Sequence, residues 1–155
     1  MLEKAFQEDI LQIRKISQSD IRELANIMVE VYNAPPWNDS WTEKTASDSL
    51  VTLLAYPDFC GNIIADGDKI IGAIIGNIRK YARETTYYIN EFFILDKYRR
   101  RGVATSLYTY TIEELKKCGV NGAFFTTLKN TPAYSFYTKQ GAWDLTDSAC
   151  FYHKF

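Results

Sequence analysis

The sequence predicts an α/β fold: one central, twisted mixed sheet with helices on both faces. The segment order reads β-α-α-β-β-β-α-β-α-β-β, which makes about seven strands and about four helices. Two long β-branched and apolar runs, 59–66 and 69–80, flank Asp66-Gly67-Asp68, a strong hairpin turn. A third apolar run, ending at Leu95, passes through a short basic turn into an amphipathic segment, the pattern of strand, turn and helix.

The elements follow in order. Met1–Asp9 is expected to fray, and the loose alternation of Ile10, Gln12, Ile13 and Lys15 predicts a first strand over 10–16. Ser17 to Ser19 offer N-caps for a helix reaching about Asn33, with Ile21, Leu24, Ala25, Met28, Val31 and Tyr32 at helical spacing. Residues 33–39 form a loop, because Pro35 and Pro36 lack the N–H a helix needs. Ser40 and Glu43 have capping-box spacing, and a second helix runs to about Ala55, before Pro57. After the hairpin of 59–80, a further strand spans Thr85 to Leu95. The third helix runs from about Val103 to Lys117, with Ala104, Leu107, Tyr108, Thr111, Ile112 and Leu115 on one face and Gly119 as its left-handed end. Val120 to Thr127 reads as strand. Thr131-Pro132 is an N-cap followed by proline at the first helical position, so a short helix reaches about Gln140, ended by Gly141. Ala142–Asp144 and Ala149–Lys154 read as a closing hairpin. No repeat, low-complexity tract or linker interrupts the chain, which predicts one domain over residues 1–155.

Composition narrows the function. The 155 residues are 46% apolar and 24% charged, ordinary for a globular protein with one substantial core. Aromatics at 15% suggest a lined pocket as well as a core. A formal net charge of −1 argues against a surface for nucleic acid or anionic lipid. Cys60, Cys118 and Cys150 match no metal spacing and read as small buried apolar residues. His153 is the only histidine, which leaves a His-based triad or a zinc site almost nothing to work with. No apolar run approaches the ~18 residues of a membrane span, and no signal-like start is present, so a cytoplasmic enzyme is expected.

The basic turn Tyr98-Arg99-Arg100-Arg101-Gly102-Val103-Ala104-Thr105 is the richest stretch. Backbone N–H groups at a helix start have no intrahelical partner, and the helix dipole adds positive charge there. Gly102 admits close approach of an anion, Ala104 keeps the first turn slim, and Arg99, Arg100 and Arg101 add charge. Such a turn suits a pyrophosphate.

With these residues in place the chain resembles the GNAT superfamily of N-acetyltransferases over nearly its whole length. The family pattern Arg/Gln-x-x-Gly-x-Gly/Ala is met by Arg99, Gly102 and Ala104. A second run, Asn130-x-x-Ala133-x-x-Phe136-Tyr137-x-x-x-Gly141-Ala142-Trp143, resembles the family's closing motif, with Ala142-Trp143 where the aromatic would directly follow glycine. The resemblance implies a GNAT-like fold with a cleft where the fourth and fifth strands splay. It implies acetyl-CoA as donor, with no metal. Backbone groups of Phe93 and Ile94 would pair with the pantetheine arm as a strand does. The N–H groups of Arg101, Gly102, Val103, Ala104 and Thr105 would hold the pyrophosphate, helped by Arg99 and Arg100. Asn130 would bond the pantetheine or adenosine side, and Tyr134 or Phe136 would pack against the cofactor.

Amide formation from a thioester needs an amine without its extra proton, a donor to the developing oxyanion and a proton for the departing thiolate. Glu91 is the candidate base; its alternative roles are anchoring a cationic substrate or pairing with Arg83. Tyr137 is the candidate acid, or else a tyrosine that packs the pantetheine. The N–H of Phe93 or Ile94 is the expected oxyanion donor if the strand bulges there.

The acceptor should be met by the first half. Trp37, Asp39, Trp41 and Glu43, with Glu30, supply indoles and carboxylates suited to a cationic amine, although the two indoles could instead plug the core edge. Tyr87, with Tyr81 and Tyr88, would line the other wall. The expected partners are acetyl-CoA and a primary amine, with no nucleic acid and no membrane. A homodimer is expected through a sheet edge or the closing hairpin. The other function considered is a non-catalytic acyl-CoA-binding regulatory module.

Overall fold

The computed structural model describes residues 11–155. The expectation for Met1–Asp9 and the start of the first strand at Ile10 lie outside them. The chain forms two compact units, one ending at Phe125 and the other Thr126–Phe155.

In the first unit a five-stranded sheet has the order β1 (Leu11–Lys15), β2 (Phe59–Asp66), β3 (Lys69–Lys80), β4 (Thr85–Ile94), β5 (Gly122–Phe124). The first four strands pair antiparallel with their neighbours, and β5 runs parallel to β4. The helices are α1 (Ile21–Tyr32), α2 (Glu43–Leu54) and α3 (Val103–Lys117). Side chains on a strand alternate between faces. Phe92 stacks on Tyr108 of α3, with ring centres 6.2 Å apart. Its neighbour Phe93 meets Tyr32 of α1 edge to face at 5.9 Å. The mixed sheet is therefore covered by α1 on one face and α3 on the other, as the α/β prediction requires. Ile63, Ile64, Ile71, Ile74 and Ile75 are almost wholly buried in the core between them.

Local chemistry sets the boundaries. Ser17 caps a short 3-10 turn whose Asp20 carboxylate accepts from the Ser17 N–H at 2.8 Å and from Arg14 at 2.8 and 2.9 Å. The capping box of α2 is Thr42 with Thr45, not Ser40 with Glu43. The Thr42 hydroxyl accepts from the Thr45 N–H at 3.1 Å while Thr45 Oγ1 accepts from the Thr42 N–H at 2.9 Å. A threonine hydroxyl reaches back as well as a carboxylate here, which frees Glu43 to open the helix.

The second unit carries α4 (Pro132–Lys139), capped by Thr131, whose hydroxyl accepts from the Tyr134 N–H at 3.3 Å and donates to the Leu128 carbonyl at 2.7 Å. The expected closing hairpin does not form: no strand follows β5 among the described residues. The Ala142 N–H instead donates to the Tyr137 carbonyl at 3.1 Å at the end of the preceding helix, and the Thr146 and Ser148 N–H groups close local turns onto the Asp144 and Leu145 carbonyls at 3.0 Å between the two expected strands. The fifth strand is likewise three residues long rather than spanning Val120–Thr127. Five strands therefore stand where about seven were expected. Cys118 and Cys150 are exposed, against the expectation of burial, and Cys60 is half-buried.

Candidate active site

A register shift on β4 organises the site. Ile75 pairs with Glu91 but the next β3 residue, Gly76, pairs with Ile89, so Asn90 is an extra residue on β4. Such a bulge reverses the facing of everything beyond it. Tyr87 and Phe92 consequently share the α3 face, while Tyr88, Glu91 and Phe93 share the α1 face. The bulge sits at Asn90 and not at Phe93–Ile94, where a bulge was the condition for an oxyanion donor.

Glu91 meets the end of α1 and the loop that follows. Its carboxylate accepts a hydrogen bond from Tyr32 and lies near enough to Asp39 to sense its charge. Burial raises the Glu91 pKa above its ordinary value of 4.5; the Tyr32 hydroxyl opposes the rise and the Asp39 charge adds to it. No Glu91–Arg83 ion pair exists among the described residues, which removes that alternative. The loop is pinned from both sides. Asn33 accepts from the Trp41 N–H at 2.8 Å and donates to the Trp41 carbonyl at 2.9 Å. The Trp41 indole N–H donates to Asp39 at 3.1 Å, the Asp39 N–H donates to the Tyr32 carbonyl at 2.9 Å, and Trp37 meets Tyr32 edge to face at 6.0 Å. Trp37, Asp39, Trp41 and Glu91 are thus tied together through Tyr32, a residue that sequence reasoning counted only as a core position of the helix.

Three acceptor candidates do not join them. Tyr87 is fully buried on the α3 face, and its hydroxyl donates to the Cys60 carbonyl at 2.8 Å, so it is core rather than wall. Glu43 lies on the surface at the start of α2, with its carboxylate 4.0 Å from Arg22. Glu30 is exposed on α1.

The other edge of β4 is open to a ligand strand. β5 pairs only with Thr86–Tyr88, so among the described residues β4 runs on to Ile94 without a partner strand on that side. Antiparallel ladders alternate which residues turn their N–H and C=O toward the neighbour. The Leu95 N–H donates to the Ile71 carbonyl at 2.8 Å, which sets Phe93 against Ala73 and turns Phe92 and Ile94 outward. Phe93 is therefore committed to the sheet, and Phe92 takes the outward place expected of it. Beyond Ile94 the chain turns through Asp96–Tyr98 into α3. Tyr98 props this corner, donating to Asp66 at 2.8 Å, with the Arg101 guanidinium 6.0 Å from its ring centre. Arg99 closes the corner, donating to the Ile94 carbonyl at 3.3 Å and lying 3.5 Å from Asp96. Arg100 and Gly102 have φ of 60° and 77°. Gly102 is the N-cap of α3 and has no side chain to cap it, which leaves the first-turn N–H groups of Val103, Ala104 and Thr105 unclaimed by a cap. An uncapped first turn beside an open strand edge fits an extended ligand ending in a diphosphate.

A Cβ at Gly102 would meet nothing within 4 Å, but its φ of 77° is one that side-chain-bearing residues rarely adopt. Gly102→Val should therefore weaken coenzyme A binding about tenfold or more by reshaping the turn, at a stability cost of about 1–2 kcal/mol. Calorimetric titration together with thermal melts checks both effects.

In the second unit Asn130 is exposed with φ of 59°, just before the Thr131 cap. Tyr134 donates to Asp144 at 3.4 Å, and Lys129 approaches the same carboxylate at 3.3 Å. Tyr137 is buried on α4, and Phe136 meets it edge to face at 5.4 Å. His153 is exposed near the end of the chain, its ring 5.0 Å from that of Phe155. Among the described residues no group of His, Cys, Asp and Glu could hold a metal, and no helix is long and apolar enough to cross a membrane.

Comparison with known proteins bears on the family and the fold. Residues 21–142 match the profile of the Acetyltransferase (GNAT) family. No curated protein sequence matches the chain. An aminoglycoside acetyltransferase, meta-AAC0020, from an uncultured soil metagenomic sample superposes with a TM-score of 0.73 at 18% identity, over 96% of this chain and 98% of that one. The aminoglycoside acetyltransferase AAC(6')-Iy, bound to the bisubstrate analogue CoA-S-monomethyl-acetylneamine, gives 0.70 at 16% identity, over 94% and 98%. A transcriptional regulator from Bacillus halodurans C-125 gives 0.74 at 14% identity, over 93% and 99%. At such identities the likeness is one of fold.

Proposed function

The chain belongs to the Acetyltransferase (GNAT) family, and from that premise we propose that it transfers the acetyl group of acetyl-CoA to a primary amine of a small molecule or peptide by direct attack, without an acyl-enzyme. The observation that carries the reading is Glu91: a half-buried carboxylate at the β4 bulge, facing an aromatic, acid-bearing loop, on the strand whose far edge is free to take a pantetheine arm.

Acetyl-CoA supplies the acyl group as a thioester. The edge groups of Phe92 and Ile94 hold its arm, and the N–H groups of Gly102, Val103, Ala104 and Thr105 hold its pyrophosphate, with Arg100 and Arg101 adding charge. Asn130 and Tyr134 are further cofactor contacts. Asp39 steadies the incoming ammonium against the walls of Trp37 and Trp41. Glu91 then takes the amine proton, a task its raised pKa favours, because a more basic carboxylate has a stronger pull on an alkylammonium. An outward N–H of β4 donates to the acyl oxygen as charge gathers on it. Tyr137 protonates the departing sulfur.

The test is release of coenzyme A thiol from acetyl-CoA across a panel of amines. Thiol release that depends on the amine supports transfer. Saturable coenzyme A binding with no release from any amine would leave a binding module instead. Tyr137→Phe should lower kcat about tenfold with little change in acceptor KM, the mark of an acid acting only as the thiolate leaves.

A further inference from the structure

The bulge that turns Glu91 toward α1 also brings a cation onto the same face. Tyr88 shares that face, and Arg79, two β3 residues beyond Tyr88's partner Asn77, lays its guanidinium over the Tyr88 ring at 4.8 Å. The Tyr81 ring lies 5.9 Å from the same guanidinium, and the Tyr81 and Tyr88 hydroxyls are bonded at 2.7 Å. Arg79 is exposed and makes no ion pair among the described residues. A guanidinium stacked on an aromatic platform is pre-ordered yet keeps its edge N–H groups free, the state in which it best takes an oxyanion.

Its distance from the reaction centre is set by the ladder. Glu91 pairs with Ile75 and Tyr88 with Asn77, two β3 residues apart, so the Tyr88 platform begins roughly 7 Å from Glu91 along the sheet. Arg79 itself lies four β3 residues from Ile75, roughly 13 Å along the sheet, and its guanidinium reaches over the Tyr88 ring, which sets it between roughly 7 and 13 Å from Glu91 along the strand direction. α1 ends at Tyr32, level with Glu91 and Phe93, and so does not extend over this stretch of the face.

Building on the acetyl-transfer reading above, we infer that the acceptor is a small ω-amino acid, its amine meeting Glu91 and Asp39 while its carboxylate is held by Arg79. The face has acid at one end, Glu91 and Asp39, and the stacked Arg79 cation at the other. A polycationic acceptor would set a second ammonium against Arg79, and an acceptor with an anionic tail would pair with it.

The experiment compares ε-aminocaproate, hexylamine and hexamethylenediamine as acceptors in coenzyme A thiol release. The three share chain length and differ in an anionic, neutral or cationic tail. The wild-type protein should favour ε-aminocaproate in kcat/KM by about tenfold or more over either amine. Arg79→Ala should remove most of that preference, chiefly through KM, and Arg79→Lys should keep part of it. Equal or faster turnover of hexamethylenediamine or hexylamine by the wild-type protein overturns the anion anchor alone. So does an Arg79→Ala variant that slows all three acceptors alike. No release from any of the three, with release from another amine of the panel, overturns the anchor alone, whereas no release from any amine of the panel overturns the acetyl-transfer reading as well.

Discussion

Glu91→Gln is expected to lower kcat by about 10²-fold or more, the scale of a lost general base, while coenzyme A affinity stays within about twofold. Glutamine keeps the shape and can still accept from Tyr32, so the loss is one of basicity. The pH profile separates this from mere damage. Burial first, and the Asp39 charge second, raise the Glu91 pKa above 4.5. The acid limb of the wild-type rate should therefore lie above the ordinary carboxylate range, with activity rising as pH rises through it. The variant should lose that limb. Stability moves the other way. A carboxyl whose pKa is raised on folding binds its proton in the folded chain where the unfolded chain has released it, so stability falls as pH rises from the unfolded value through the folded one. Removing the charge should raise the melting temperature near neutral pH. A variant both slower and more stable would mark Glu91 as a strained functional group rather than a structural one.

Gly76→Val should cost the most in stability, several kcal/mol, enough to unfold much of the protein. Gly76 sits opposite Ile89 at the bulge, and a Cβ there would run into the Tyr88 carbonyl oxygen and come within 2.6 Å of the Tyr87 ring. The carbonyl belongs to the ladder and cannot yield. The ring is fully buried with its hydroxyl bonded to Cys60, so it cannot swing out either. Chemical denaturation should show a sharply lowered midpoint or no cooperative transition. A Gly76→Val protein as stable as wild type would mean that the β3–β4 register at the bulge differs from the one described.

These two residues show what could be read in the chain beforehand. The β2–β3 hairpin, α3 and the cap of α4 were legible because each carries its own punctuation: Gly67 in the turn, Gly102 and Gly119 around the helix, Thr131-Pro132 before the last one. Local signals sufficed there. Glu91 was legible as a candidate from its place before the apolar end of a strand. Its partners were not, since Tyr32 and Asp39 reach it only through packing. The Asn90 bulge left no mark in the pattern, so alternation alone could say that Tyr87 and Tyr88 face apart but not which of them is buried. The same shift hid the face shared by Tyr88, Glu91 and Arg79. The closing hairpin misled because aromatic spacing near the end of the chain resembles strand, whereas no ladder joins 142–144 to 149–154 among the described residues.

Calorimetric titration of the folded protein with coenzyme A, run beside Gly102→Val, puts the donor site to the test most directly. Saturable one-to-one binding that the substitution weakens is the result expected of an uncapped helix start beside a free strand edge. Heats that never saturate at millimolar coenzyme A, or binding indifferent to residue 102, would contradict it.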